Sequence, residues 1–374
     1  MITVKEVTNG KMRKEFLDFP LKLYKGNPYF VPPLYSDEKK IFRSDYVYAD
    51  TCKAVYFNAY EDGRMVGRIS GFIQTASNEK HNEKRMRFTR IDGIDSREVF
   101  AALFKAVEDW GRAQGMDTIC GPLGFSDLER EGLLIDGFDQ LSTFEEQYNY
   151  DYYMKHIEAL GYEKEVDWTE SRIYPPDNYN GDLDKIAEAI MKRNRLHLGK
   201  AKNVNDFLNK YADKFFKLID DSYSELYGTV PFTDSMKKMM IDNFKLIIDL
   251  RYVAVVLDEQ ENLVCLGLCF PSIGEAIQKS GGHLTPAALI RLLKAIKHPR
   301  IIDFGLIGVD PAYANRGVSV IVSAALLHML QDDKIEHAET NLNLEDNHAI
   351  QNQWKRFKEV KHKRRRSYVK KLTE

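Results

Sequence analysis

The sequence is short of cysteine, of net charge and of long apolar runs, and each shortage excludes a class of protein. Four cysteines in 374 residues are too few for a disulfide scaffold. Cys265 and Cys269 lie in a strand-like apolar run, with no other Cys or His at metal-ligand spacing. We therefore expect buried thiols in a reducing compartment, and no metal.

The charges nearly cancel, since 54 lysines and arginines face 56 aspartates and glutamates for a net charge of −2. No overall positive field is therefore present to attract nucleic acid. No apolar run approaches the roughly 18 residues that would span a bilayer, and the first residues show no signal-peptide pattern. We expect a cytoplasmic protein without membrane partners.

The most informative stretch runs from Ile301 to Leu330, where a strand, a turn and a helix are predicted. Ile301–Val309 is a short apolar run, which is typical of a buried strand, and Pro311 ends it because proline has no N–H for a ladder. Gly317 can take the positive φ of a tight turn, and helical apolar spacing follows it. The free N–H groups and dipole of such a helix start favour an anion, most often phosphate.

The turn resembles the loop with which the GNAT acetyltransferase superfamily binds the pyrophosphate of acyl-CoA. The residues that match the lead and central glycine of that loop are Val309, Pro311, Tyr313 and Gly317. Two residues depart from the pattern. Ala314 stands where Gln or Arg is usual, and Ser319 stands where Gly or Ala is usual.

A second GNAT signature, N-x-x-[A/I]-x-x-x-Y, is matched further along by Asn347 and Ile350, with Trp354 at the tyrosine position. The hairpin, strand and helix pattern of Tyr252–Leu330 also occurs about two hundred residues earlier. We interpret this as a tandem duplication. The resemblance implies a mixed α/β fold of two GNAT-like lobes, each a mostly antiparallel twisted sheet flanked by helices.

We place the domain boundary at the Pro175-Pro176 segment. Residues 1–174 then form a degenerate N-terminal GNAT-like domain, and residues 175–374 form the C-terminal acyltransferase domain. In the N-terminal half, Asp92 and Asp95 stand where the phosphate turn would be. Two carboxylates repel a pyrophosphate, so we expect that this half has lost CoA.

The resemblance also implies a set of binding groups. The backbone of Ile307 and Val309 would hold pantetheine as an added strand, and Asn347 would hydrogen-bond the pantetheine arm. Pyrophosphate would be held by the backbone N–H groups of five consecutive residues: Asn315, Arg316, Gly317, Val318 and Ser319. The Arg316 side chain would add positive charge.

Direct transfer from the thioester to an amine needs three further groups. The N–H of Ile307 would stabilise the oxyanion, and Asp303 stands at the position of the glutamate base in histone-acetylating GNATs. Asp303 is otherwise read as a strand-edge carboxylate with no catalytic role. Trp354 cannot protonate the leaving thiolate, which leaves Tyr313, another group or water, or a thiolate that departs unprotonated.

The predicted function is that of an enzyme, a CoA-dependent N-acyltransferase using acetyl-CoA or another acyl-CoA and a small-molecule or peptide amine. The alternative is a non-catalytic acyl-CoA sensor, because of Ala314 and Trp354. A third hypothesis, nucleic-acid binding by the basic run Lys361–Lys371, is disfavoured, since the run should form a charged sheet edge. The sequence does not predict the acceptor, the acyl chain length or the oligomeric state.

Overall fold

The protein is described by a computed structural model that covers residues 1–126, 129–224, 226–332 and 334–372. Two compact units are present. Unit 1 contains Met1–Thr169, Gly274–Leu289 and the chain from His362 onward, and unit 2 contains Glu170–Ile273 and Ile290–Lys361. Within the described residues, no helix is both long enough and apolar enough to cross a bilayer.

The first half of the chain contributes helices and strands in alternation. Its helices are α1 (Gly10–Leu23), α2 (Tyr35–Glu38), α3 (Thr75–His81), α4 (Arg97–Ala113) and α5 (Tyr152–Glu158). Its strands are β1 (Ile2–Glu6), β2 (Cys52–Glu61), β3 (Arg64–Gln74), β4 (Arg85–Gly93), β5 (Thr118–Gly121), β6 (Leu133–Asp136) and β7 (Glu163–Tyr174).

The second half repeats this alternation. Its helices are α6 (Asp182–Asn194), α7 (Val204–Tyr223), α8 (Asp234–Phe244), α9 (Gly274–Gln278), α10 (Pro286–Lys297), α11 (Ser319–Leu330) and α12 (His348–Trp354). Its strands are β8 (His197–Leu198), β9 (Val253–Leu257), β10 (Leu263–Pro271), β11 (Ile301–Val309), β12 (His337–Thr340), β13 (Asn343–Leu344) and β14 (Lys358–Lys371).

The sheets of the two units have the same strand order. In unit 1 the order is β1-β2-β3-β4-β5-β14, and in unit 2 it is β8-β9-β10-β11-β12-β7. The pairs β4–β5 and β11–β12 are parallel, whereas the other described pairs in these orders are antiparallel. The duplication inferred from the hairpin pattern is therefore visible in the topology, and the mixed, mainly antiparallel sheets agree with the predicted fold class.

One glycine in each unit shows why the duplicated hairpins look alike in sequence. A Cβ on Gly67 of β3 would lie 2.8 Å from Leu103 of α4, and one on Gly267 of β10 would lie 2.2 Å from Val322 of α11. Real Cβ atoms do not come this close, so both hairpins need glycine where a helix packs on the strand. The repeated Val-Gly and Leu-Gly pairs therefore mark the same helix contact twice.

The last strand of each sheet comes from the opposite half of the chain. Ile173 and Arg172 of β7 pair with β12 in unit 2, and Tyr368–Lys371 of β14 pair with β5 in unit 1. The structure therefore differs from the expected boundary between residues 174 and 175. The division falls inside β7, after Thr169, and the chain from His362 onward belongs to the first unit.

The C-terminal basic run is not the solvent-exposed edge that the sequence suggested. β14 is a single strand that pairs with both β5 and β6, and Lys363 and Arg365 are buried. Their charged ends donate to the backbone carbonyls of Leu141 and Gln147. Buried cations need such partners, so the alternating pattern here encodes a partly buried strand.

Helices pack on both faces of the unit 2 sheet. α11 covers one face through a buried cluster that includes Cys265, Cys269 and Phe304. α7 covers the other through a cluster that includes Leu266 and Leu268. The predicted burial of the two thiols is confirmed, and burial raises the pKa of each well above the ordinary value.

Candidate functional site

The parallel strands β11 and β12 separate partway along their length. Their ladder joins Ile301–Phe304 to His337–Thr340, and the described pairing ends there. Gly305 forms a bulge, because Leu268 of β10 lies opposite Leu306 while Cys269 lies opposite Phe304. The side-chain amide of Asn341 donates to the carbonyl of Gly305, at the point where the strands part.

The peptide groups of Ile307 and Val309 face this gap. The N–H of Asp310 donates to the carbonyl of Val264 on β10 at 2.8 Å, and residues of an antiparallel pair alternate between bonding the partner and facing away. Gly308 therefore bonds to β10, whereas Ile307 and Val309 present their N–H and C=O groups on the side of β12. An extended ligand between the strands would meet backbone donors and acceptors that β10 does not bond.

The turn after β11 is a 3-10 helix, Pro311–Arg316, followed by Gly317 with φ of 72°. α11 begins directly afterwards at Ser319. The N–H groups of Val320 and Ile321 bond back to Gly317 and Val318 at 3.0 Å. The expected strand, glycine turn and helix start are present, while the 3-10 turn replaces an open loop at Asn315 and Arg316.

Two guanidinium groups lie at this turn. Arg316 is exposed and stacks on the ring of Tyr313 at 4.9 Å. Arg193, in the last turn of α6, donates to the carbonyl of Arg316 at 3.1 Å. A Cβ on Gly317 would lie 3.4 Å from Ile190 of the same helix. α6 therefore brings a second cation to the helix start, which sequence reasoning missed because α6 lies more than a hundred residues away.

Tyr223, the last residue of α7, reaches the gap from the opposite face of the sheet. Its hydroxyl donates to the carbonyl of Ile307 at 2.9 Å. Tyr313 by contrast stacks under Arg316 and packs against the α11 cluster. Of the two tyrosines, Tyr223 is the one whose hydroxyl bonds a peptide group of the gap.

Asp303 lies on the same face of the sheet as α7, next to a second carboxylate. It is opposite Phe270 of the α7 cluster and in register with Glu339 of β12, and paired residues share a face. Glu339 is buried and bonds the Arg172 side chain at 3.0 Å and His337 at 3.3 Å. Sequence reasoning missed Glu339 and His337, because only the strand register places them beside Asp303.

The residues of the second signature make hydrogen bonds within unit 2. The side-chain oxygen of Asn347 caps α12, accepting from Ile350 N–H at 3.2 Å. Trp354 is buried, with its ring 5.2 Å from Phe304 and its indole N–H donating to Asn343 at 2.6 Å. Asn347 therefore has a structural role as a helix cap, and Trp354 is a core residue.

In unit 1 the equivalent place is filled by the chain itself. The β4–β5 ladder ends at Arg87 and Cys120, and the N–H of Leu123 then donates to the carbonyl of Phe88 at 3.0 Å. Asp92 is buried and bonds Arg68 at 2.8 Å. A peptide group that a ligand would need is thus already bonded within unit 1.

No cluster of three or more His, Cys, Asp or Glu side chains in the described parts of the chain is arranged to hold a metal ion. The polar groups at the gap are backbone amides, a tyrosine, two guanidinium groups and carboxylates. This set suits an anionic, extended ligand together with proton transfer.

Comparison with known proteins begins with two curated relatives, since no family model matches the sequence. Over 99% of its length the chain is 29% identical to protein YghO of Escherichia coli (strain K12), covering 95% of that protein. Over 78% of its length it is 29% identical to the bacterial ceramide synthase of Caulobacter vibrioides (strain NA1000 / CB15N), covering 77% of that protein.

Solved structures resemble the whole chain despite low identity. A tandem GNAT protein from the clavulanic acid biosynthesis pathway aligns with 100% of this chain and 99% of its own, with a TM-score of 0.55 and 11% identity. A GCN5-related glucosamine N-acetyltransferase region of a fungal multi-domain protein aligns with 99% of this chain and 38% of its own, with a TM-score of 0.57 and 12% identity. The chain therefore has the tandem GNAT fold that its two sequence signatures predicted.

Proposed function

We propose that this protein is a CoA-dependent N-acyltransferase that transfers an acyl group directly from the CoA thioester to an amine, in unit 2. The observation that carries the proposal is the gap between β11 and β12, which the peptide groups of Ile307 and Val309 face. Pantetheine contains two amides in an extended arm and would pair with these groups as an added strand.

The donor's phosphates would lie at the start of α11. The helix dipole and the amides around Gly317–Ser319 favour an anion there, and Arg193 and Arg316 supply positive charge. Ala314 leaves a backbone N–H without the usual long side chain. In this proposal, Arg193 supplies part of the phosphate contact that a Gln or Arg side chain at position 314 would make.

Transfer would form a C–N bond and break a C–S bond. The amine attacks the thioester carbon, and the N–H of Ile307 stabilises the oxyanion. The amine proton passes to a carboxylate on the α7 face, Asp303 or Glu339, and the leaving thiolate receives a proton from Tyr223. Asp303 keeps its predicted role in this scheme, whereas Tyr223 replaces Tyr313.

The Caulobacter relative is named a ceramide synthase. A ceramide is the amide of a fatty acid with a long-chain amino alcohol, so the name describes N-acylation of an amine. That name supports an amine acceptor here, and it extends the candidate donors from acetyl-CoA to longer acyl-CoA thioesters.

Trp354 favours a second candidate, an acyl-CoA sensor that binds without turnover. Its indole N–H is committed to Asn343 inside the core, so the residue at the usual tyrosine position offers no proton. The two candidates share the binding site and differ in turnover alone.

Calorimetric titration with acetyl-CoA and palmitoyl-CoA, followed by thiol release in the presence of an amine panel, tests both candidates. Binding with amine-dependent CoA release supports the transferase. Binding with no release from any amine supports the sensor. The absence of binding at millimolar acetyl-CoA, with palmitoyl-CoA also failing below its micellar range, overturns both.

A further inference from the structure

A groove lined by apolar side chains runs between α7 and α8 on the face of the unit 2 sheet opposite α11. We call it the α7–α8 groove. The side chains that decide its shape are Phe207 and Phe215 of α7, Ile241 and Phe244 of α8, Leu268 of β10, and Leu306 of β11. Every residue that lines it is apolar.

The groove is not closed off like the core beneath it. Phe215, Ile241 and Phe244 are half-buried, although burying such side chains fully would stabilise the fold. The space already free between the walls is about 40 Å³, which is little more than one water molecule occupies. A long ligand would therefore enter by separating α8 from α7, whose described residues at the groove are all apolar.

The groove ends beside the reacting centre. Leu306 lines it, and the next residue is Ile307, whose carbonyl faces the gap and accepts from Tyr223. A hydrocarbon chain lying in the groove would thus have its end within reach of the thioester position. This continuity argues for a substrate chain and against a protein partner that merely covers an apolar surface.

The charged residues at the end of the groove indicate which of the two substrates carries the hydrocarbon chain. Phe270 lines the groove, and Asp303 lies directly opposite it on the same face, in register with Glu339. Glu339 also bonds Arg172 and His337. A carboxylate such as that of Asp303 attracts an ammonium group and repels the phosphates of CoA. The donor's phosphates have their own site at the start of α11, so the polar end near Asp303 suits the amine.

We propose that the α7–α8 groove holds the hydrocarbon chain of a long-chain primary amine, with the amino group directed toward Asp303 and Tyr223. This inference rests on the proposed N-acyl transfer and names the acceptor class of that same site. The amide formed would leave the groove as an N-acylated lipid.

The test compares ethylamine, hexylamine, decylamine and tetradecylamine, each below its micellar concentration, with acetyl-CoA fixed. For wild-type protein kcat/KM should rise with chain length, by up to about fourfold for each added methylene that is buried. Ala212→Phe fills the groove from α7 without removing any of its contacts. It should abolish the chain-length dependence, so that kcat/KM for tetradecylamine falls to the value for ethylamine.

Asn209→Leu is the matched control, since residue 209 lies on the exposed side of the same helix. It should keep the full dependence on amine length, and thermal melting checks that both variants fold. Equal rates for all four amines overturn the groove inference while the transferase stands. The groove inference is also overturned if Ala212→Phe changes the dependence on acyl-CoA length instead, because the groove would then hold the acyl chain of the donor.

Failure of the proposed function is read separately, by titrating tetradecylamine into the protein without any acyl-CoA. If no amine is acylated but tetradecylamine binds wild type and not Ala212→Phe, the groove assignment stands as an amine-binding site and the transferase is wrong. If tetradecylamine binds neither protein, the groove assignment is wrong as well.

Discussion

The hydroxyl of Tyr223 donates to the main-chain carbonyl of Ile307 at 2.9 Å. This bond joins the end of α7 to the peptide that faces the gap between β11 and β12. It sets a phenol within the site although the tyrosine position of the second GNAT signature holds a buried tryptophan. In the proposed reaction, the acid would therefore lie on the same helix that covers the proposed acceptor face.

Tyr223→Phe should lower kcat by about 10²-fold or more with little change in the KM for acyl-CoA, because it removes a proton donor and retains the ring. Steady-state kinetics measure the two parameters. Tyr211→Phe is the control, since that hydroxyl lies on the same helix and contacts the carbonyl of Lys200 at 3.4 Å. Equal losses in the two variants would show that Tyr223 acts through helix packing alone.

The guanidinium groups of Arg193 and Arg316 should strengthen CoA binding through its phosphates. We expect Arg193→Gln and Arg316→Gln each to raise the Kd for CoA by about three- to tenfold, and more at low salt. Pantetheine lacks the pyrophosphate and should bind all three proteins equally. Lys185→Gln, on the exposed first turn of α6, should change neither Kd, and a matching loss for pantetheine would count against phosphate contacts.

Gly308 allows α7 to lie directly on β11. A Cβ there would lie 3.0 Å from Ile219 and 3.1 Å from Leu218. Gly308→Val should lower the free energy of unfolding by about 1–3 kcal/mol, and kcat should fall as Tyr223 moves away with α7. Denaturant melts and kinetics provide the measurements.

Gly10→Ala is the matched control for that substitution, because a Cβ at Gly10 would have nothing within 4 Å. It should leave the free energy of unfolding within about 0.5 kcal/mol of wild type. If Gly308→Val also left the free energy of unfolding unchanged, the close approach of α7 to β11 would not be present in solution.

Acid should destabilise unit 1 through Glu38. Burial alone would raise the pKa of this carboxyl, but the Arg90 guanidinium, bonded at 2.9 and 3.0 Å, outweighs it and lowers the pKa to about 2. A lowered pKa stabilises the fold above the unfolded value, about 4.3, and this contribution is lost as pH falls toward 2. Wild type should therefore lose up to about 3 kcal/mol across that window.

Glu38→Gln should be less stable than wild type at neutral pH and should lose less stability across the acid window. Glu79→Gln, an exposed change in the same unit, should keep the wild-type profile. Urea melts at stepped pH values measure both. An acid slope in Glu38→Gln as steep as that of wild type would assign the slope to other carboxyls.

The individual helices and strands were predictable because local residues mark where they begin or end. Pro311 after an apolar run marks the end of β11, and Ser96, a residue type that often caps helices, caps α4 by accepting from Val99 N–H. The bond from Tyr223 to Ile307, the Asp303–Glu339 register and the Arg193 contact join residues far apart in sequence. No local pattern encodes such pairs, so Glu339 and the proposed acid, Tyr223, became visible only in the fold, whereas Asp303 was already a candidate base in the sequence.

β7 and β14 show a second limit. β7 was not predicted as a strand, because the charged residues in Glu163–Tyr174 hide its alternation, and β14 was assigned to a sheet edge. Both strands contain buried residues, and their cations and acids are paired, as in Arg366 with Asp167 at 2.8 Å. Paired charges occupy positions that a hydrophobic pattern would reserve for apolar residues.

Because β7 and β14 each complete the sheet of the opposite half of the chain, the order of synthesis affects how the sheets form. While the ribosome is still translating the second half, the first sheet ends at β5 with an unfilled strand position, because its neighbour, Tyr368–Lys371 of β14, is translated only after β8–β13. A nascent chain released before β14 is made would expose unpaired N–H and C=O groups at the edge of β5, which favour aggregation. Separately expressed halves would each lack one border strand, so their activity would be recovered by co-expression rather than by mixing after purification.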